Sequence, residues 1–88
     1  SCAKQCFTAA EQFRGEINPQ SDIYALGASM FFLLSGQLPK PISVSSPKTV
    51  NSSVSDELNR IIEQATELDL SKRYESVSWM KLELMKLL

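Results

Sequence analysis

Residues 21–35 read Ser-Asp-Ile-Tyr-Ala-Leu-Gly-Ala-Ser-Met-Phe-Phe-Leu-Leu-Ser, and no other segment restricts the fold as much. Ile23, Leu26, Gly27, Met30 and Leu34 recur at helical spacing. Tyr24, Ala28, Phe31 and Phe32 make the other side apolar as well. A helix that is apolar nearly all round must be buried on most of its circumference. Ser21 stands where a side-chain cap is wanted, with Pro19 fixing the chain upstream, and Gly36 stands at the left-handed C-terminal cap. A helix of this length spans about 22 Å, the width of a small domain. In a chain of 88 residues it is the centre.

Two one-faced helices are expected around it. The first, over 56–68, has Ser55 ahead of it and Asp56 and Glu57 at the positive end of its dipole. Its apolar stripe is Leu58, Ile61, Ile62, Ala65 and Leu68, while Arg60, Glu63, Gln64 and Glu67 face water. The second, over 76–88, presents Val77, Met80, Leu84, Leu87 and Leu88, widened by Trp79 and Leu82. A short amphipathic turn at Ala9–Phe13 precedes the central helix. Residues 36–55 hold Pro39, Pro41 and Pro47 among six serines and read as a long surface connection. Asp69–Glu75 is a short charged turn. No stretch alternates like a strand, so the fold class is all-α, a small helical bundle.

Composition narrows the chemistry. Histidine is absent, which excludes a Ser-His-Asp or Cys-His site within this chain. Cys2 and Cys6 are the two cysteines, too few for a structural zinc site. Their spacing could bring them together on a helix, but the reading favoured is a frayed end. Thiols of this kind are compatible with a reducing cytoplasm. A net charge of −1 gives no electrostatic reason to expect nucleic acid or an anionic membrane as partner. The longest apolar run, Met30–Leu34, is far short of the roughly 20 residues a membrane helix needs. The first residue is not Met, so a piece of something longer is expected.

Specific motifs go further. Phe7-Thr8-Ala9-Ala10-Glu11-Gln12-Phe13, then Ser21-Asp22-Ile23-Tyr24-Ala25-Leu26-Gly27, resembles the end of the activation segment and the central C-lobe helix of bacterial serine/threonine protein kinases. Leu33-Leu34-Ser35-Gly36-Gln37-Leu38-Pro39 resembles the ending of that helix. Ala65–Tyr74, with Leu-Asp-Leu-Ser-Lys-Arg-Tyr, is similar to the family's Leu-Asp-Pro-x-Lys-Arg-Tyr. The match runs in order over residues 6–88.

The resemblance implies structural jobs for four residues. Asp22 would accept hydrogen bonds from backbone N–H groups of the catalytic loop, charge-assisted because the carboxylate is ionised. Gly27 would permit close backbone approach. Glu11 would pair with Arg73, clamping the end of the activation segment to the last helices through the planar guanidinium fork. No catalytic, cofactor-binding or metal-binding residue is implied. The Gly-rich loop, the strand Lys, His-Arg-Asp with its Asn, and Asp-Phe-Gly do not occur in the chain. ATP and magnesium would belong only to an intact parent kinase, and this chain alone is not a kinase.

Departures from the pattern point to a degenerate kinase or to an N-terminal junction unrelated to the family. Ala3-Lys4-Gln5-Cys6-Phe7 stands where the family has Gly-Thr-x-Gly-Tyr, so Lys4 replaces the substrate-loop Thr. Ala10 replaces the Pro of Ala-Pro-Glu, and a short helix is compressed into residues 41–53. The resemblance leads to the expectation of a C-lobe fragment whose partner is the upstream part of a kinase domain, or of a stand-alone degenerate remnant that binds another protein. Without the rest of a lobe, Tyr24, Phe31 and Phe32 would lack cover. Two or three bare aromatics approach the few-hundred-Å² patch that monomers rarely tolerate. A homo-oligomer through that surface is expected.

Overall fold

The structure, a computed structural model, describes the backbone of residues 2–88 and the side chains from residue 3 onward. Among the described residues it is all-α. The elements are α1 (Cys2–Gln5), α2 (Ala10–Phe13), α3 (Gln20–Ser35), a 3-10 turn (Pro47–Thr49), α4 (Asp56–Ala65) and α5 (Val77–Met85). They form a flat body of 36 × 28 × 15 Å. No helix among the described residues is long and apolar enough to cross a membrane.

α3 is the central helix, and it packs against α4 and the 3-10 turn. Gly36 ends it with φ 71°, its N–H donating to the Phe32 carbonyl. The start differs from expectation. Pro19 is already helical, so α3 begins one residue early, and the Asn18 side chain accepts from the Gln20 N–H at 2.8 Å. Ser21 is left inside the first turn and does not cap.

The two later helices are shorter than their periodicity suggests. α4 begins on Ser55, whose hydroxyl accepts from the Leu58 N–H. It stops at Ala65 instead of residue 68. Thr66 is fully buried, and its hydroxyl turns back onto the Ile62 carbonyl while accepting from the Ser45 N–H. That exchange ties the helix end to the loop and leaves Leu68 exposed rather than in the stripe. α5 begins on the Ser76 cap and ends at Met85 instead of residue 88. Of its expected stripe only Met80 is buried and Leu84 half-buried, whereas Val77, Leu87 and Leu88 are exposed. Within the chain α5 packs by one side only, against α4 and the core cluster that also holds Ile23 of α3.

The expectation of uncovered aromatics on α3 is corrected at two of its three positions. Tyr24 and Phe31 are buried. Phe7 and Ala9 close over Tyr24 and Ala28 from one side. From the other, the Ser/Pro loop folds in. The Tyr24 hydroxyl donates to the Ser43 carbonyl at 2.9 Å and accepts from the Ser43 N–H at 3.2 Å. Pro39, Ser45, Pro47 and Val54 are also buried, so residues 36–55 are packed structure and not merely a surface connection. Phe32 stays 41% exposed, edge-on to Phe7 at 6.4 Å between ring centroids. Cys6 is buried as well, so it is not part of a frayed end, and the Cys2 side chain lies outside the described residues.

Candidate functional site

The densest polar arrangement joins three parts of the chain that are far apart in sequence. Glu11 lies in α2, Gln20 and Ser21 open α3, and Arg73 sits in the turn between α4 and α5. Arg73 Nη1 donates to Glu11 Oε2 at 2.8 Å and Nη2 to Oε1 at 3.2 Å, a bidentate pair across 62 residues. Nη1 also donates to the Gln20 carbonyl at 2.9 Å, and Nε to the Glu67 carbonyl at 2.8 Å. The Ser21 hydroxyl donates to Glu11 Oε2 at 2.6 Å. Both charged side chains are fully buried. The guanidinium carbon stands 5.4 Å from the centroid of the Tyr24 ring, a cation–π contact.

A buried pair is favourable only if its geometry is good and its remaining donors and acceptors are satisfied. Here they are: no buried side-chain N or O among the described residues lacks a partner. Burial is the largest single influence on the Glu11 carboxyl and opposes its ionisation. The hydrogen bonds from Arg73, Ser21 and its own backbone, with the Arg73 charge, outweigh it together and hold the pKa down at about 2. A carboxylate this acidic and enclosed is unsuited to proton transfer near neutrality. Its chemistry is to hold elements together. Gln20 adds a second tie, its amide donating to the Leu70 and Tyr74 carbonyls.

Gly27 faces α4 in mid-helix. A Cβ built there would lie 2.8 Å from Ala65 Cβ and 2.9 Å from Thr66 Cγ2. Asp22 behaves differently from the other three candidates. It sits in the first turn of α3, exposed, and its carboxylate has no partner among the described residues. It lies on one helical line with Leu26 and Leu33, which are 42% and 78% exposed. The structure therefore brings Glu11 and Arg73 together, places Gly27 at the α3–α4 crossing, and leaves Asp22 facing outward.

Sequence reasoning missed Ser21 as the third member of the ion-pair cluster, and Gln20 and Tyr24 as its walls. A hydroxyl ahead of an apolar helix is normally read as a cap, and nothing local announces a partner ten residues upstream. Among the described residues no group of three or more His, Cys, Asp or Glu is placed to hold a metal ion. Comparison with protein-family models finds no match, and no curated protein matches the chain.

Proposed function

We propose that the chain is the C-terminal part of a bacterial-type serine/threonine kinase C-lobe, catalytically inactive alone, whose work is to brace the catalytic loop and the substrate-docking face. The observation that carries this reading is the Glu11–Arg73 pair. Its two members come from the two distant motifs, Ala-Ala-Glu-Gln and Lys-Arg-Tyr, that resemble the family. The outward Asp22 carboxylate, beside the bare Leu26 and Leu33, supports it as well. An acceptor with no partner among the described residues, at the head of a central helix, is suited to backbone N–H groups from elsewhere. In this reading the partner is the upstream part of a kinase domain in a cytoplasmic protein, and ATP and magnesium bind that part alone.

A second reading rests on Lys4 and Ala10, which depart from the family pattern. It makes the chain a degenerate kinase remnant that offers the same Leu26–Leu33 face to another protein. The coding sequence upstream of Ser1 separates the two. An in-frame His-Arg-Asp and Asp-Phe-Gly supports the kinase lobe, whereas a start codon close to Ser1 supports the remnant. Both readings expect no heat on titrating the isolated chain with magnesium-ATP, and no phosphate transfer from labelled ATP. Micromolar ATP binding would overturn both.

A further inference from the structure

We infer that α5 pairs antiparallel with α5 of a second copy of this chain, with Leu82 on the twofold axis. Met80, 1% exposed, packs with Ile61, Ala65 and Tyr74, and Leu84 lies against the same cluster. That covers one side of the helix. At 3.6 residues per turn the opposite line runs through Ser78, Leu82 and Lys86, flanked by Trp79 and Met85. Trp79 is 57% exposed, and Leu82 and Met85 are each 53% exposed. A helix apolar on both sides calls for cover on both.

The register argues for a second copy as that cover. A twofold axis at Leu82 sets residues equally far before and after it at the same height, and residues on the same flank meet across the axis. Trp79 and Lys86 share one flank, three residues before and four after. The ammonium of each copy therefore approaches the indole of the other, a cation–π contact. Glu75, exposed just ahead of the Ser76 cap, lies near that end and brings the opposite charge to the same ammonium. Ser78 and Met85 share the other flank, where the small hydroxyl leaves room for the thioether chain. Among the described residues the Lys86 ammonium makes one ion pair in its own chain, an exposed contact to Glu83 at 3.2 Å, a class of pair worth little. A net charge of −1 opposes association weakly. One short helix offers less than the ~800 Å² per partner of a standard interface, so the dimer is a weak one. The pairing uses neither Asp22 nor the Glu11–Arg73 cluster and stands apart from the kinase-like reading.

Sedimentation equilibrium of the full chain from low to high micromolar concentration tests it, with fluorescence of Trp79, the chain's one tryptophan, as second readout. The mass should climb towards twice that of the monomer as Trp79 emission shifts to the blue. Leu82→Glu, which sets two carboxylates on the axis, should weaken association by about tenfold or more with far-UV circular dichroism and melting temperature unchanged. Lys86→Glu should weaken it too. A chain that stays monomeric throughout, leaving the face to some other protein, overturns the inference. So does a dimer that tolerates either substitution.

Discussion

Gly27 of α3 lies so close to α4 that a methyl group there would stand 2.8 Å from the Ala65 Cβ. Neither neighbour can yield easily, because Ala65 has no rotamer and Thr66 is locked by its hydroxyl bonds to Ile62 and Ser45. Gly27→Ala gains about 1 kcal/mol of helix propensity. Overpacking costs about 1–3 kcal/mol and here meets two buried contacts at once. The expected outcome is a net loss of stability in urea unfolding, although the same change in an exposed helix stabilises. A stabilised variant would show that α3 and α4 have room between them.

Acid should loosen the chain through Glu11. Its folded pKa, about 2, lies below the ordinary value of 4.5. The stabilisation is therefore complete above pH 4.5 and is lost as pH falls towards 2. At 1.36 kcal/mol per unit the linked contribution is on the order of 3 kcal/mol. Urea midpoints measured across that window should fall steeply for the native chain. Glu11→Gln, which cannot titrate, should give a flatter profile from a lower start.

Position 10 should accept the proline that the resemblance calls for. Ala10 is the first residue of α2, where proline costs no helical hydrogen bond. Ala9 before it has φ −69° and ψ 152°, the extended conformation that a following proline favours. Ala10→Pro should raise stability by about 0.4–1 kcal/mol by restricting the unfolded chain. A lowered melting temperature would mean the backbone entering α2 differs from that described.

Much of the fold was legible because α3 and α4 carry strong local signals. Gly36 fixed the end of α3, Ser55 and Ser76 marked the next two starts, and Ile61, Ile62 and Ala65 carry the buried stripe of α4. Misjudged features depended on contacts between distant segments. The end of α4 is set by Thr66 meeting Ser45, and the cover of Tyr24 by Ser43, both from a loop without periodicity. α5 was misread for the opposite reason. Its apolar residues run all round, so periodicity could not say which side faces inward, and only Met80 proved buried. Glu11 and Arg73 were legible through motif resemblance alone, since charge and spacing would leave both on the surface.

Asp22 should matter little to the isolated chain. It is exposed, without a partner among the described residues, and stands at the favourable end of the α3 dipole, worth about 0.3–1 kcal/mol. Asp22→Asn should therefore shift the urea midpoint only slightly. A loss as large as that of a core substitution would reveal an internal partner for the carboxylate and remove its support for an external one.

A double-mutant cycle on Glu11 and Arg73, read by equilibrium unfolding, tests most directly that this pair closes the fold. Removing one member strands the other, charged and buried, so Glu11→Ala and Arg73→Ala should each cost about 3–5 kcal/mol. The double variant strands neither charge and should lose far less than the sum. Losses that simply add would contradict the account, because the two residues would then stabilise the chain independently and no clamp would join α2 to the α4–α5 turn.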